Sequence, residues 1–423
     1  MNFFNFPSPA FTLWLIILAL PPGLHALLVS TVGVGGLGLI VFMAFLLYFE
    51  AITNRRITFG VNRTLVYLAS LAVLYSVGAV YTGGIANPAT MGAVYVFVSM
   101  PIVYLITLNT VFNKINHDSA RRLVTNAVLI SLTITAIAGL LQYFKLIPNP
   151  DFAADGIGFV DNKNHFGYLM AVGLAISIAK TTYSRTSQNF FSFLSVLFSV
   201  AILISLCRGA WVAAVLIIVL YSLIFRRFGI LAILTCFVFL AFQLPDFTSR
   251  LQQSDMSSGR LDLWLVIVPK TWADALWGKG VGFMWKLTSF DINEYGGYVS
   301  DKNEHIYAHN DFLFLLVETG ITGVILWCIS LYKVITSALT KLRLSAQKSF
   351  SHSQALMILF LSVVIVLGQM VDTIFFGSII IIKAVALLSC ADAPFDPRRQ
   401  EASQSCCTPS VTTAVPCNSP SVQ

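Results

Sequence analysis

Apolar runs of about 20 residues recur along this chain and are joined mostly by short polar connections. As a helix, a run of that length crosses a hydrocarbon core of ~30 Å. In lipid, every backbone N–H and C=O must find a partner inside the protein, which leaves helices and closed barrels as the spanning structures. A barrel would show ~10-residue segments that alternate in polarity, and none of the long runs here alternates. Composition agrees. The 423 residues are 57% hydrophobic and 11% charged, with mean hydropathy +0.80, where a water-soluble domain carries about 25% charged residues. The predicted fold class is an all-α polytopic membrane protein.

Twelve spans are predicted, over 11–29, 32–50, 65–82, 91–112, 123–143, 165–179, 190–206, 210–225, 229–244, 312–332, 355–371 and 373–388. The seventh and eighth form one apolar stretch broken at Cys207-Arg208-Gly209, and the last two meet between Gly368 and Asp372. A straight helix through either stretch would overrun the bilayer, so each break predicts a turn. The domain plan is nine spans within 1–245, a loop domain with short helices at 246–309, three spans within 310–390, and a tail at 391–423.

Charge orients this plan. With an inside N-terminus, Arg55, Arg56, Arg121, Arg122, Lys180, Arg226, Arg227, Lys341 and Arg343 fall on inside connections. The short outside connections carry only Lys145 and Lys163, plus Arg208 at its break. That asymmetry follows the positive-inside rule, and long loops such as 246–305 are exempt from it. The net charge of +7 therefore reflects topology rather than a nucleic-acid surface. The first apolar segment lacks a basic leader and contains Pro21-Pro22, so a retained, bent span is expected. The seven cysteines are scattered among spans and tail, which predicts thiols rather than a disulfide framework. The tail is rich in Ser, Thr, Pro and Gln and is expected to be disordered.

The most informative local stretch is Tyr307-Ala308-His309-Asn310-Asp311-Phe312-Leu313, running on to Glu318, Gly320 and Gly323. It sets a His-Asn pair where the long polar loop meets the tenth span. An imidazole, with an ordinary pKa of ~6.5, can take or give a proton near neutral pH. At a membrane boundary that suits chemistry on a lipid-linked substrate.

Other residues compete between chemical and structural readings. Arg208 lies between two apolar runs, where a guanidinium must pair or reach water. Arg suits multidentate phosphate binding, and a snorkelling interfacial Arg is the plain alternative. Arg260 opens a stretch in which Leu261, Trp264, Leu265 and Val266 mark the stripe of an interfacial helix, against a simple surface helix. Gly278-x-Gly280-x-Gly282 lacks a βαβ context and predicts a tight loop approaching another element or a ligand. Asn162 and Asn164 precede the sixth span and suit either polar substrate groups or a helix cap. Glu318 and Asp372 are membrane-level acids with functional and pairing readings. His305 and His309 have helical spacing for a metal but no third ligand, and no Asp-x-Asp pair occurs in an outside loop. No metal or cofactor is expected.

Taken in order, Ser205-x-x-Arg208, Arg260 with Trp264, Gly278-x-Gly280-x-Gly282, and His309-Asn310-x-x-Leu313 with Glu318-x-Gly320-x-x-Gly323 resemble the O-antigen ligase and polymerase superfamily. The likeness runs from Asn162 to Gly323 and includes the twelve-span plan. Cys207 stands where relatives commonly show Ser. The resemblance implies a glycosyltransferase of the bacterial inner membrane with a periplasmic active site. Its donor would be O-antigen on undecaprenyl diphosphate and its acceptor a sugar hydroxyl of lipid A-core, with membrane lipids around it and no nucleic acid. It implies inverting, metal-independent chemistry. His309 would be the general base and Arg208 and Arg260 the diphosphate ligands, with Asn162, Asn164, Asn310 and Gly280 as candidate substrate contacts. The single outside domain and short tail look most like a ligase. An O-antigen polymerase or a protein O-oligosaccharyltransferase is the nearest alternative, and a membrane transporter is the alternative outside enzymes.

Overall fold

A computed structural model of the protein describes residues 9–22, 46, 62–84, 88–112, 117–148, 157–160, 162–183, 187–229, 248, 260–284, 309–346, 349–371 and 378–392. The chain divides into two units, Met1–Ala393 and Pro394–Gln423, and the second lies outside the described residues. The described part of the first is built from eleven helices: α1 (Pro9–Ala19), α2 (Arg63–Tyr81), α3 (Pro88–Phe112), α4 (His117–Tyr143), α5 (Lys163–Thr181), α6 (Gln188–Ile204), α7 (Arg208–Phe225), α8 (Arg260–Trp272), α9 (Asp311–Leu344), α10 (Phe350–Val371) and α11 (Ser378–Asp392). No strand occurs among the described residues, where a bridge between Ile157 and Val160 is the one piece of β pairing.

Six of these helices are long and apolar enough to cross a membrane: α2, the Thr90–Asn109 part of α3, the Asp118–Tyr143 part of α4, α7, α9 and α10. The protein is thus a multi-pass helical membrane protein. Of the other expected spans, 11–29 is represented in part by α1, 165–179 by α5, 190–206 by the shorter α6, and 373–388 in part by α11. Those at 32–50 and 229–244 lie outside the described residues, Leu46 apart, as does most of the 246–309 loop.

Lys163, Asn164 and His165 open α5 and Lys180 stands near its end, so its apolar part is Phe166–Ala179. Every residue from Phe166 to Ala179 is buried, and α6, α7 and α10 pack around it. A helix so placed is covered by its neighbours rather than by lipid. It needs small residues that let other helices approach. A Cβ on Gly173 would sit 2.6 Å from the ring of Phe198 on α6. One on Gly167 would sit 2.7 Å from Ser205 Oγ and 2.8 Å from Cys207 Cβ.

α9 is not one straight span. Gly320 has φ 68° and ψ −168°, outside helical space, a region open essentially to glycine alone. The change of direction has a visible result. Asn310, before the first turn, donates to Met370 O at 3.0 Å, while Trp327 donates from Nε1 to Gln369 Oε1 at 2.9 Å. A straight helix would hold two such residues ~25 Å apart, yet they bond neighbouring residues of α10. The apolar run 312–332, read as one span, is therefore two helical segments hinged at Gly320.

Candidate active site at the end of α10

The predicted break between the seventh and eighth spans is present. α6 ends at Ile204, Leu206 takes a left-handed φ of 54°, and α7 begins at Arg208. Ser205 Oγ donates to Ile202 O at 2.6 Å and accepts from Cys207 N–H at 3.1 Å, which holds the turn. Trp211 Nε1 donates to the same Ile202 carbonyl at 3.0 Å, using an acceptor that the end of α6 leaves open. Arg208 is thus the first residue of a helix. A cation is disfavoured by the dipole there, whereas an anion is drawn to the free N–H groups. A guanidinium at this position adds to an anion-attracting end.

Backbone contact ties that end to two other helices. A Cβ on Gly209 would lie 2.0 Å from the Tyr168 hydroxyl on α5 and 2.7 Å from Val371 Cγ2 on α10. The glycine is needed for the approach. Val371 closes α10, whose last carbonyls lack intrahelical partners and carry the negative end of the dipole. Two of the singled-out residues use those carbonyls. Arg260, opening α8, donates from Nη1 to Val371 O. Asn310 donates from Nδ2 to Met370 O, and its Oδ1 caps α9 by accepting from Leu313 N–H at 2.9 Å.

His309 precedes that cap, half-buried, with φ 47°. The left-handed region is uncommon for a side-chain-bearing residue, though His is enriched there. Asp311 is buried in the first turn of α9, where an acid favours the dipole. Asn162 caps α5 by accepting from Asn164 N–H at 2.7 Å. One turn on, Gly167 packs on Ser205, Cys207 and Ala210. Asn162 and Asn164 therefore stand at the Arg208 end of the bundle. Asn162 and Asn310 are thus both helix caps.

The glycine loop is a structural wedge. Gly278, Gly280 and Gly282 all have positive φ, at 77°, 100° and 90°. Gly278 lies on the α9 hinge, where its Cβ would be 2.6 Å from Gly320 N, and Gly280 lies on Thr82, with a would-be contact of 2.6 Å. Across the hinge, Lys279 N–H donates to Val317 O and Ile321 N–H donates to Ala275 O, each at 2.7 Å. Glu318 is the centre of this lock. Its carboxylate accepts from Gly282 N–H at 2.9 Å, Met284 N–H at 3.1 Å and the Tyr75 hydroxyl at 2.6 Å. The pairing reading of Glu318 is the one the geometry favours, and the loop is the tight backbone approach expected. His305 and Asp372 lie outside the described residues.

Sequence reading passed over three residues. Tyr75 sits in a uniform apolar run and gives no local sign of a carboxylate partner. Tyr168 is equally unmarked, although its hydroxyl sets the space beside Arg208. Lys383 on α11 is buried and donates to Leu18 O at 2.7 Å, Leu20 O at 3.2 Å and Ser131 Oγ at 2.8 Å. A lone cation in an apolar stretch was the available signal.

Two guanidinium-bearing residues, a helix N-terminus and an imidazole-bearing residue thus border one helix end. Such an arrangement can hold an anionic group and offer a base beside it. No curated protein matches the chain. The O-antigen ligase family model matches residues 193–328, a segment that holds Arg208, Arg260, the glycine loop, His309, Glu318 and the Gly320 hinge. Over that segment, this multi-pass membrane protein is similar to the O-antigen ligase family.

Proposed function

We propose that the protein is an O-antigen ligase. It transfers O-antigen polysaccharide from undecaprenyl diphosphate to a sugar hydroxyl of lipid A-core, in lipopolysaccharide biosynthesis, by inverting and metal-independent glycosyl transfer. The observation that carries this reading is that Gly209, Arg260 and Asn310 all meet Met370 and Val371 at the end of α10, which brings their chain neighbours Arg208 and His309 to the same helix end. The charge asymmetry of the connections supports a twelve-span plan in the inner membrane with this end facing the periplasm.

In the reaction, the acceptor hydroxyl oxygen attacks the anomeric carbon of the donor sugar. The bond from that carbon to the diphosphate oxygen breaks, and its electron pair stays on the diphosphate. Arg208 and Arg260 stabilise the charge that builds there; one preorganised donor of this kind contributes ~3 kcal/mol. His309 takes the hydroxyl proton, worth ~10²–10⁴-fold in rate. Direct displacement inverts the anomeric centre and releases undecaprenyl diphosphate.

Deletion followed by lipopolysaccharide gel analysis tests the assignment. Loss of a ligase leaves bare lipid A-core and accumulated, polymerised carrier-linked O-antigen. Core bearing a single repeat would identify a polymerase instead, and an unchanged ladder would remove both.

A further inference from the structure

One face of α8 is packed and the other is open. Leu263, Ile267 and Thr271 are buried. On the opposite side, Leu261, Leu265 and Trp272 are 57%, 71% and 70% exposed, with Val268 between them at 37%. Their spacing sets all four along one stripe of the helix. The stripe continues through Leu276 and Trp277 in the following turn, both strongly exposed. Six large apolar side chains on one open face form a patch that a water-facing surface rarely carries. Two of the six are tryptophans, which favour the membrane interface.

Both ends of this element are fixed to spanning helices. Arg260 holds the first turn to Val371 of α10. Beyond the last turn, Ala275 O accepts from Ile321 N–H of α9. Ile321 and Ile325 are themselves exposed apolar residues on a helix that crosses the membrane. The open face of α8 is thus fixed beside a membrane-crossing helix that carries exposed apolar side chains of its own. Thirteen residues reach ~20 Å, enough to lie across two helices packed 8–10 Å apart.

We infer that α8 is an in-plane membrane helix, with Leu261, Leu265, Val268 and Trp272 seated among lipid acyl chains of the leaflet at the Arg208 end. The occupant is the bilayer itself. The stripe has the apolar and aromatic character of an interfacial anchor. Its seat holds Arg260 at headgroup level, within reach of any phosphate borne by a lipid in that leaflet. This inference stands apart from the glycosyl-transfer reading, because it concerns how the element sits and not what reacts.

A photoreactive benzoylphenylalanine placed at Leu265, and separately at Trp272, tests it in the full-length protein. The protein is held in nanodiscs of phosphatidylethanolamine and phosphatidylglycerol, irradiated, and measured by intact mass. Ile325 carries the probe as the lipid-facing reference. Phospholipid adducts at 265 and 272 in yields similar to those at 325 are expected. Adducts at 325 with none at 265 and 272 would overturn the assignment, and so would cross-links joining two protein copies through α8. Val268 replaces either position if its variant fails to accumulate.

Discussion

His309 and Asn310 divide their work by position. Asn310 commits both ends of its amide within the protein, to Met370 O and to Leu313 N–H, and so fixes the backbone that carries His309. The imidazole is thereby placed by the cap of α9 rather than by its own side-chain length. Replacing His309 with Ala should lower transfer by ~10²–10⁴-fold while protein level and donor binding stay near wild type. Ligation at the normal rate in that variant would remove the base assignment. Arg208 asks for a paired comparison. Lys keeps the charge but loses the planar fork that suits phosphate, so Arg208→Lys should retain part of the donor binding that Arg208→Ala loses. Equal binding by all three proteins, read by direct titration with the lipid diphosphate, would dismiss the diphosphate role.

At the scale of elements, Glu318 joins α2, the glycine loop and α9. Glu318→Ala leaves two backbone N–H groups and the Tyr75 hydroxyl without their acceptor, and each such buried group costs ~1–3 kcal/mol. The variant should melt well below wild type in detergent. Tyr75→Phe should cost less alone, and the double variant should fall short of the sum, as expected for partners in one network. Strict additivity would show that the hydroxyl and carboxylate do not work together. The hinge has its own test. Gly320→Ala forces a side chain into a region reserved for glycine, 2.4 Å from Leu276 O. It should destabilise the protein even though Ala is the better helix former.

For the molecule as a whole, orientation is the property to measure. Arg208 begins α7 and Arg226 caps its far end, just as Asn162 caps the start of α5 and Lys180 closes its last turn. Reporter fusions following Arg227 should fluoresce with green fluorescent protein and give no alkaline phosphatase activity. Fusions following His309 should behave in the opposite way. The reverse pattern at either point would turn the site toward the cytoplasm. Lys383 ties α11 to α1 and α4 through Leu18, Leu20 and Ser131, a long-range anchor that hydropathy counts only as an interruption.

Apolar run length determined the class of fold from the sequence alone, because lipid leaves the backbone so few ways to satisfy its hydrogen bonds. The Arg208 break, the Asn162 cap and the glycine turn were legible too, since each rests on local chemistry within a few residues. Other features needed the tertiary structure. The hinge inside 312–332 depends on a loop arriving at Gly320 from 42 residues away in the chain. The outward register of α8 depends on which face its neighbours cover. The pairing of Tyr75 with Glu318 spans 243 residues. Above all, only the fold made the end of α10 the place where Arg208, Arg260 and the His309 backbone meet. Its last carbonyls are nameless in sequence, being backbone atoms common to every residue, and they acquire partners only when distant helices come to rest against them.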